Sequence, residues 1–370
     1  RLKDLHPVVR DILHLGLYQI YELDKVPESA AVNESVTLAK KYCKNQRAGA
    51  LVNAVLRKAA ATEGTLQEPV SYADRYSHPD ELISLLKANL PKGKLEPMLI
   101  ADNAAPRTVV QVNTLRISAE ELAERLTAEH VCVKPHEWMA DCLVLSGTGS
   151  LELLPAFREG LFYVQDPAAK LSILCAGLPE SGGNVLDCCA APGGKSFAAA
   201  IAMGGKGSIV SCDIYPHKTA LIENGAARLG LTNITARQQD ASQVVPEWVG
   251  AMDTVIADVP CSGEGMFRKD TDSTGEWSIA NVALCAGRGR RIIHDIWNAL
   301  KPGGLLIYST CTYNTEEDEE NVHHITEELG AEALPIPAVK DEWQITGPLK
   351  YNHPVYRFFP HKTKGEGFFL

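Results

Sequence analysis

Two short runs hold the thiols that can do chemistry. Asp258-Val259-Pro260-Cys261-Ser262-Gly263 follows the strand-like stretch Asp253–Asp258, and Ser309-Thr310-Cys311-Thr312-Tyr313 follows Gly304–Ser309. Either cysteine alone reads more simply as a buried structural thiol. Two at the ends of neighbouring strands share one rim, and a pair of thiols beside a methyl donor suits one reaction. Carbon 5 of a pyrimidine is too weak a nucleophile to take a methyl group. A thiolate adding to carbon 6 converts the ring to an enamine and makes carbon 5 reactive, so one hard step is split into easier ones. A base then removes the carbon 5 proton and the thiol leaves, a release that a second thiol can help. Amino-group methyltransferases need no thiol and usually carry N/D-P-P-Y/F/W, from which Asp258-Val259-Pro260-Cys261 departs at its last position. Zinc deaminases need P-C-x-x-C, and Pro260-Cys261-Ser262-Gly263-Glu264 lacks the second cysteine.

The methyl donor is inferred from Asn184-Val185-Leu186-Asp187-Cys188-Cys189-Ala190-Ala191-Pro192-Gly193-Gly194-Lys195-Ser196. This reads as a buried strand, a glycine turn and a helix beginning at Ser196. Without a Cβ, Gly193 and Gly194 let a ligand approach the backbone, and the N–H groups of a new helix face it. A dinucleotide fingerprint needs G-x-G-x-x-G, which is absent, and a phosphate loop needs a glycine where Cys189 stands. A nucleoside cofactor without pyrophosphate remains, S-adenosylmethionine (SAM). An ordinary strand-to-helix turn is the plain alternative. Against it, acids stand at four successive strand ends: Asp187, Asp213, Asp240 and Asp258. Asp213 has the usual place of a carboxylate holding ribose hydroxyls, and Asp240 can accept from an adenine amino group.

These residues need a rigid scaffold. From Phe157 onward, strands at Asn184–Asp187, Ser208–Asp213, Ile234–Gln238, Asp253–Asp258 and Gly304–Ser309 alternate with helices. Such alternation predicts an α/β fold, a mostly parallel sheet with helices on both faces. Tyr356–Phe359 and Gly367–Leu370 are expected to complete seven strands. Residues 1–65 predict a small helical bundle with apolar faces at Val8, Val9, Ile12, Leu13, Leu15 and Leu17 and at Leu51, Val52, Val55 and Leu56, and with Ser29 as a cap. Residues 66–155 predict a small α+β domain, with Arg107, Asn113 and Arg116 as candidate RNA contacts, and residues 156–370 the catalytic domain.

The ten cysteines form no C-x-x-C, which argues against zinc and a secreted disulfide scaffold. Eight of them are expected to be reduced core thiols in a cytoplasmic protein. No apolar run suggests a membrane span and no signal peptide is legible. The net charge of −10 warns against a nucleic-acid partner. The charge is uneven, however: residues 1–65 carry +3 and the remainder −13. Basic groups stand at Arg268-Lys269, at Arg288, Arg290 and Arg291, and at Arg357, Lys362 and Lys364, with acid concentrated at Glu316-Glu317-Asp318-Glu319-Glu320.

Cys189-Ala190-Ala191-Pro192-Gly193-Gly194-Lys195, Asp258-Val259-Pro260-Cys261-Ser262-Gly263 and Ser309-Thr310-Cys311-Thr312 resemble the Sun/Fmu family of rRNA cytosine-5 methyltransferases. The resemblance covers about residues 75–370 and departs at Val259 and Cys188. It implies a Rossmann-like SAM domain with Cys311 as nucleophile, Cys261 promoting product release and Asp258 holding the cytosine edge. It further implies that Cys189 to Lys195, Asp213, Asp240 and Asp258 line the cofactor site, with Lys195 near the reaction centre. The N-terminal helices, above all Pro27-Glu28-Ser29-Ala30-Ala31-Val32-Asn33-Glu34, resemble the NusB-type RNA-binding domain without its usual first helix. Gly263-Glu264-Gly265-Met266-Phe267-Arg268-Lys269 and the tail Phe359–Gly367 resemble another branch of bacterial 16S rRNA enzymes, which leaves the target nucleotide open. The expected partner is RNA, 16S rRNA first. A tRNA substrate and a catalytically idle ribosome-assembly factor are the alternatives. A monomer without metal is expected.

Overall fold

A computed structural model describes residues 5–43, 45, 47–62, 69–180, 182–243, 245–270, 272–337, 339–363 and 365–370. Lys364, one of the basic groups above, lies outside the described residues. The chain divides into two compact units, Arg1–Pro69 and Val70–Leu370.

The first unit has helices at Pro7–Glu22, Glu28–Tyr42 and Arg47–Ala60. Helices of this length are marginal alone and need a shared core, here Val9, Ile12, Leu13, Val32, Ala39, Val52 and Leu56. The apolar face is narrower than the sequence predicts, since Leu15 and Leu51 are 54% and 41% exposed. Gly16 turns inward instead. A Cβ there would stand 2.5 Å from Leu56 Cδ1, so the glycine permits the close helix contact. Ser29 does not cap: the second helix starts at Glu28 after Pro27, with no side-chain cap.

In the second unit, β1 (Thr108–Val112), β2 (Cys132–Pro135), β3 (Cys142–Ser146) and β4 (Phe162–Val164) form an antiparallel sheet in the order β2-β3-β1-β4. Val110, Val112, Leu143, Leu145 and Phe162 pack on Leu122 and Leu126 of the helix Ala119–Ala128, which opens on a capping box of Ser118 and Glu121. Strand β4 falls in the stretch that alternation assigns to the catalytic domain, yet it pairs with β1. Cys132, expected in a core, is exposed on edge strand β2. The helices Asp80–Asn89 and Leu95–Asp102 pack on Phe267, Trp277, Tyr313 and Phe359 rather than on the small sheet.

The larger sheet comprises β5 (Asn184–Asp187), β6 (Ser208–Asp213), β7 (Ile234–Gln238), β8 (Met252–Asp258) and β9 (Leu300–Ser309). All are parallel, in the order β7-β6-β5-β8-β9. Strand order reverses between β5 and β8, and open α/β sheets bind ligands outside the carboxyl ends at such a point. Among the described residues this sheet has five strands, not seven. The tail strands β10 (Arg357–Phe358) and β11 (Phe368–Phe369) form their own antiparallel pair, bridged to the end of β9 at Thr310↔Phe369 and packed through Phe369 on Tyr308. Pro360, two residues after the end of β10, starts a helical turn and offers no N–H for a ladder, which keeps that strand short.

Candidate active site

The turn after β5 is fixed from both sides. Ala190 N–H donates to Cys212 O at 2.8 Å, and Gly193 N–H to Ala190 O at 2.7 Å. Gly193 sits at φ +109°, a conformation that disfavours L side chains, and a Cβ there would press 2.5 Å from Phe197 Cζ. The helix begins at Gly194, two residues before the expected Ser196. Ser196 Oγ instead donates to Asp187 Oδ2 at 2.7 Å and contacts Ser211 Oγ at 2.7 Å, which bolts the helix to the ends of β5 and β6. Asp187 is fully buried, and burial pushes its carboxyl up to about 7. It is a structural acid beneath the loop rather than a ligand-facing one.

Asp213 ends β6, where its Oδ1 accepts from Tyr215 N–H at 3.0 Å. Asp240 accepts at Oδ1 from the Ser242 hydroxyl at 2.7 Å and from its N–H at 2.9 Å, and these bonds hold the carboxyl below the usual range. Both acids therefore have settled orientations at the carboxyl rim. Asp258 ends β8 opposite Ser309 of β9. Its Oδ1 accepts from Ser309 Oγ at 2.7 Å, and Oδ2 lies 2.7 Å from Lys195 Nζ. Lys195 Nζ also lies 5.0 Å over the Phe368 ring. The glycine loop, the acid after β8 and the tail thus converge on one point.

The two cysteines meet. Cys261 Sγ lies 3.1 Å from Cys311 Sγ and accepts from the Cys311 N–H at 3.4 Å, and both residues are partly buried. Hydrogen bonding to the Cys311 sulfur, burial and nearby negative charge push the Cys261 thiol well above its usual range. The Cys261 thiol therefore keeps its proton near neutral pH.

A buried polar clasp holds the two loops together. Glu264, three residues after Cys261, accepts at Oε2 from Tyr313 N–H and from Thr312 Oγ1, both at 2.6 Å. Its Oε1 accepts from Trp277 Nε1 at 2.8 Å. In return Glu317 accepts at Oε2 from Ser262 N–H at 2.9 Å. Asn314, three residues after Cys311, donates from Nδ2 to Glu264 Oε1 at 3.0 Å and to Glu317 Oε1 at 2.7 Å. Each cysteine loop thus lends a carboxylate to the backbone of the other. Sequence reasoning missed Glu264, Asn314 and Glu317; for Glu264 and Asn314 the shared offset of three residues from a cysteine was the available signal.

Burial, with the charge of Glu264 adding to it, pushes Glu317 up to about 7 in spite of its donors. A raised acid stabilises the fold fully below its unfolded value of 4.5, and that contribution is lost as pH rises through 7. Glu317→Gln cannot ionise. Its stability difference from the parent is expected to shift in favour of the variant as pH rises from 4.5 to 7. Urea unfolding of both proteins across that range checks this, and parallel curves would refute the placement of Glu317.

Other residues singled out by sequence belong elsewhere. Asn113 is fully buried, its Nδ2 donating to Gly160 O and Leu229 O at 3.0 Å each, because the turn after β1 packs on a neighbouring helix end. Arg116 stays exposed with a bond from Nη1 to Glu159 O, and Arg290 is held by Asn321 and Glu320. Arg357 is 1% exposed, so it is no surface charge. Glu317, Asp318 and Glu319 of the acidic run are buried too, with Arg357 between Asp318 and Glu319. Among the described residues, no three His, Cys, Asp or Glu side chains are grouped to hold a metal. No described helix is long and apolar enough to cross a membrane.

Comparison with known proteins agrees with this architecture. The family model for 16S rRNA methyltransferase RsmB/F matches residues 176–370, the NusB family matches 1–61, and the RsmF/B-like ferredoxin-like domain matches 78–152. A probable ribosomal RNA small subunit methyltransferase B from Synechocystis is 31% identical over 98% of this chain and 82% of its own length. A ribosomal RNA small subunit methyltransferase F from Vibrio campbellii is 30% identical over 79% of this chain and 61% of its own. The crystal structure of a methyltransferase homolog protein from Pyrococcus horikoshii superimposes with a TM-score of 0.68 at 25% identity, over 80% of this chain and 95% of that one.

Proposed function

This chain belongs to the RsmB/F family of 16S rRNA methyltransferases, and from that premise we propose that it methylates carbon 5 of a cytidine in 16S rRNA through a covalent bond to Cys311. The 3.1 Å approach of Cys261 and Cys311 sulfurs, beside Asp258 and Lys195, is the observation that carries the reading.

The residues present suit SAM. The turn Cys189 to Lys195 leaves a close backbone approach, with Asp213 for a ribose and Asp240 for an adenine amino group at successive strand ends. When bound, SAM supplies an electrophilic methyl group. The chain does the rest. Asp258, aligned by Ser309 and Lys195, accepts from the cytosine edge and orients the flipped base. The Cys311 thiolate adds to carbon 6, pushing electron density to carbon 5, which takes the methyl group. The carbon 5 proton passes to solvent, the carbon–sulfur bond breaks, and its electron pair returns to Cys311 sulfur. The Cys261 S–H, held protonated beside that sulfur, stabilises the departing thiolate. The helical bundle of the first unit and the exposed Lys269 supply RNA contacts.

The test uses methyl-labelled SAM with unmodified 16S rRNA and unmodified tRNA, followed by bisulfite sequencing. Label is expected in the rRNA, at a cytidine that resists conversion. Label in tRNA alone, or label without such a cytidine, would overturn the reading.

A further inference from the structure

A cavity opens in the second unit. It has a volume of about 200 Å³ and lies between the antiparallel sheet and the tail. Val109, Leu151 and Val164 form an apolar wall, Arg107 and Lys269 bring positive charge, and Glu366 lines it. Glu366 is 6% exposed, and its Oε2 has no hydrogen-bond partner among the described residues. Its Oε1 lies 3.5 Å from Lys269 Nζ, and Arg107 Nη2 lies 3.5 Å from Glu137 Oε1. Asp166, also at this cavity, is satisfied: its Oδ2 accepts from Glu366 N–H at 2.9 Å and its Oδ1 from Ala168 N–H at 2.8 Å. A buried acceptor without a donor is costly unless something brings one.

The cavity is tied to the nucleophile. Gly367 N–H donates to Gly265 O at 3.1 Å, and Gly265 N–H donates to Cys311 O at 2.9 Å. A Cβ on Gly265 would stand 2.3 Å from Gly367 O, so only glycine allows this approach. Glu366 is therefore one residue and two hydrogen bonds from Cys311.

We propose that this cavity is a subsite for a guanine next to the target cytidine, with Glu366 accepting from its N1–H and N2–H groups. The proposal rests on the RNA methyltransferase reading above. Guanine places two donors side by side on one edge, the match for a carboxylate. The aliphatic wall packs on the ring face, while Arg107 and Lys269 meet the flanking phosphates.

The test takes the whole protein with SAM and 16S rRNA transcripts bearing each of the four bases at the positions flanking the methylated cytidine. The parent is expected to prefer guanine at one flank by about tenfold or more in kcat/KM. Glu366→Gln, which loses one acceptor, flattens that preference. Val164→Phe, which fills the cavity from a half-exposed wall position, raises KM for the guanine transcript and leaves kcat near the parent value. Equal methylation of all four transcripts by an active parent, or an undiminished guanine preference in Glu366→Gln, overturns the proposal. A parent that methylates no transcript overturns the reading beneath it as well.

Discussion

Cys311→Ala is expected to abolish methyl transfer, by on the order of 10⁴-fold or more, as removal of a covalent nucleophile does. Cys261→Ala is expected to fail differently. Cys311 still attacks, but its leaving sulfur loses the neighbouring S–H at 3.1 Å. Protein should then accumulate bound to RNA and migrate slowly on a denaturing gel, while turnover falls. The contrast between the two variants is the diagnostic, since both remove a partly buried sulfur of the same size. Adduct from Cys311→Ala and none from Cys261→Ala would exchange the roles. Adduct from neither, with transfer intact, would remove covalent catalysis altogether.

The second large effect is on stability. Arg357→Ala should cost about 3–5 kcal/mol, the usual result of stripping one member from a buried ion group. Arg357 Nε donates to Glu319 Oε1 at 2.7 Å, Nη1 donates to Tyr313 O at 2.9 Å, and Nη1 lies 3.1 Å from Asp318 Oδ2. Its loss leaves the buried Asp318 and Glu319 without their cation, one and two residues beyond Glu317 of the clasp. Arg357→Lys should recover only part, because a single ammonium cannot reproduce the planar fork. Urea unfolding measures both. A change within about 0.5 kcal/mol for Arg357→Ala would mean that the residue is a surface charge after all.

Arg357 also marks where sequence reading and structure part. In the sequence it stands with Lys362 and Lys364 as one more cation near the tail, and Glu317–Glu319 read as one more acidic run. Composition counts charges and is blind to depth. Depth here follows from an interaction 38 residues long in sequence, from Arg357 to Glu319, which no local window contains. Asn113 was misplaced for the same reason, since Leu229 O lies 116 residues away. The clasp had a local trace, the equal offset of Glu264 and Asn314 from their cysteines, but its meaning needed both loops in one place.

By itself the sequence determined whatever contiguous residues dictate. The apolar runs of β5, β6 and β8, each ended by an aspartate, gave parallel strands and the carboxyl rim. The glycine turn after Asp187 gave the strand-to-helix turn, because a residue without a Cβ takes the positive φ at Gly193. The two cysteines followed from their strand ends. Tertiary structure alone decided the sulfur contact, the burial of Glu264, Glu317 and Arg357, the separation of β10 and β11 from the main sheet, and the cavity at Glu366. These depend on which distant groups share a volume, and a buried charge is permitted only where its partner arrives from elsewhere in the chain.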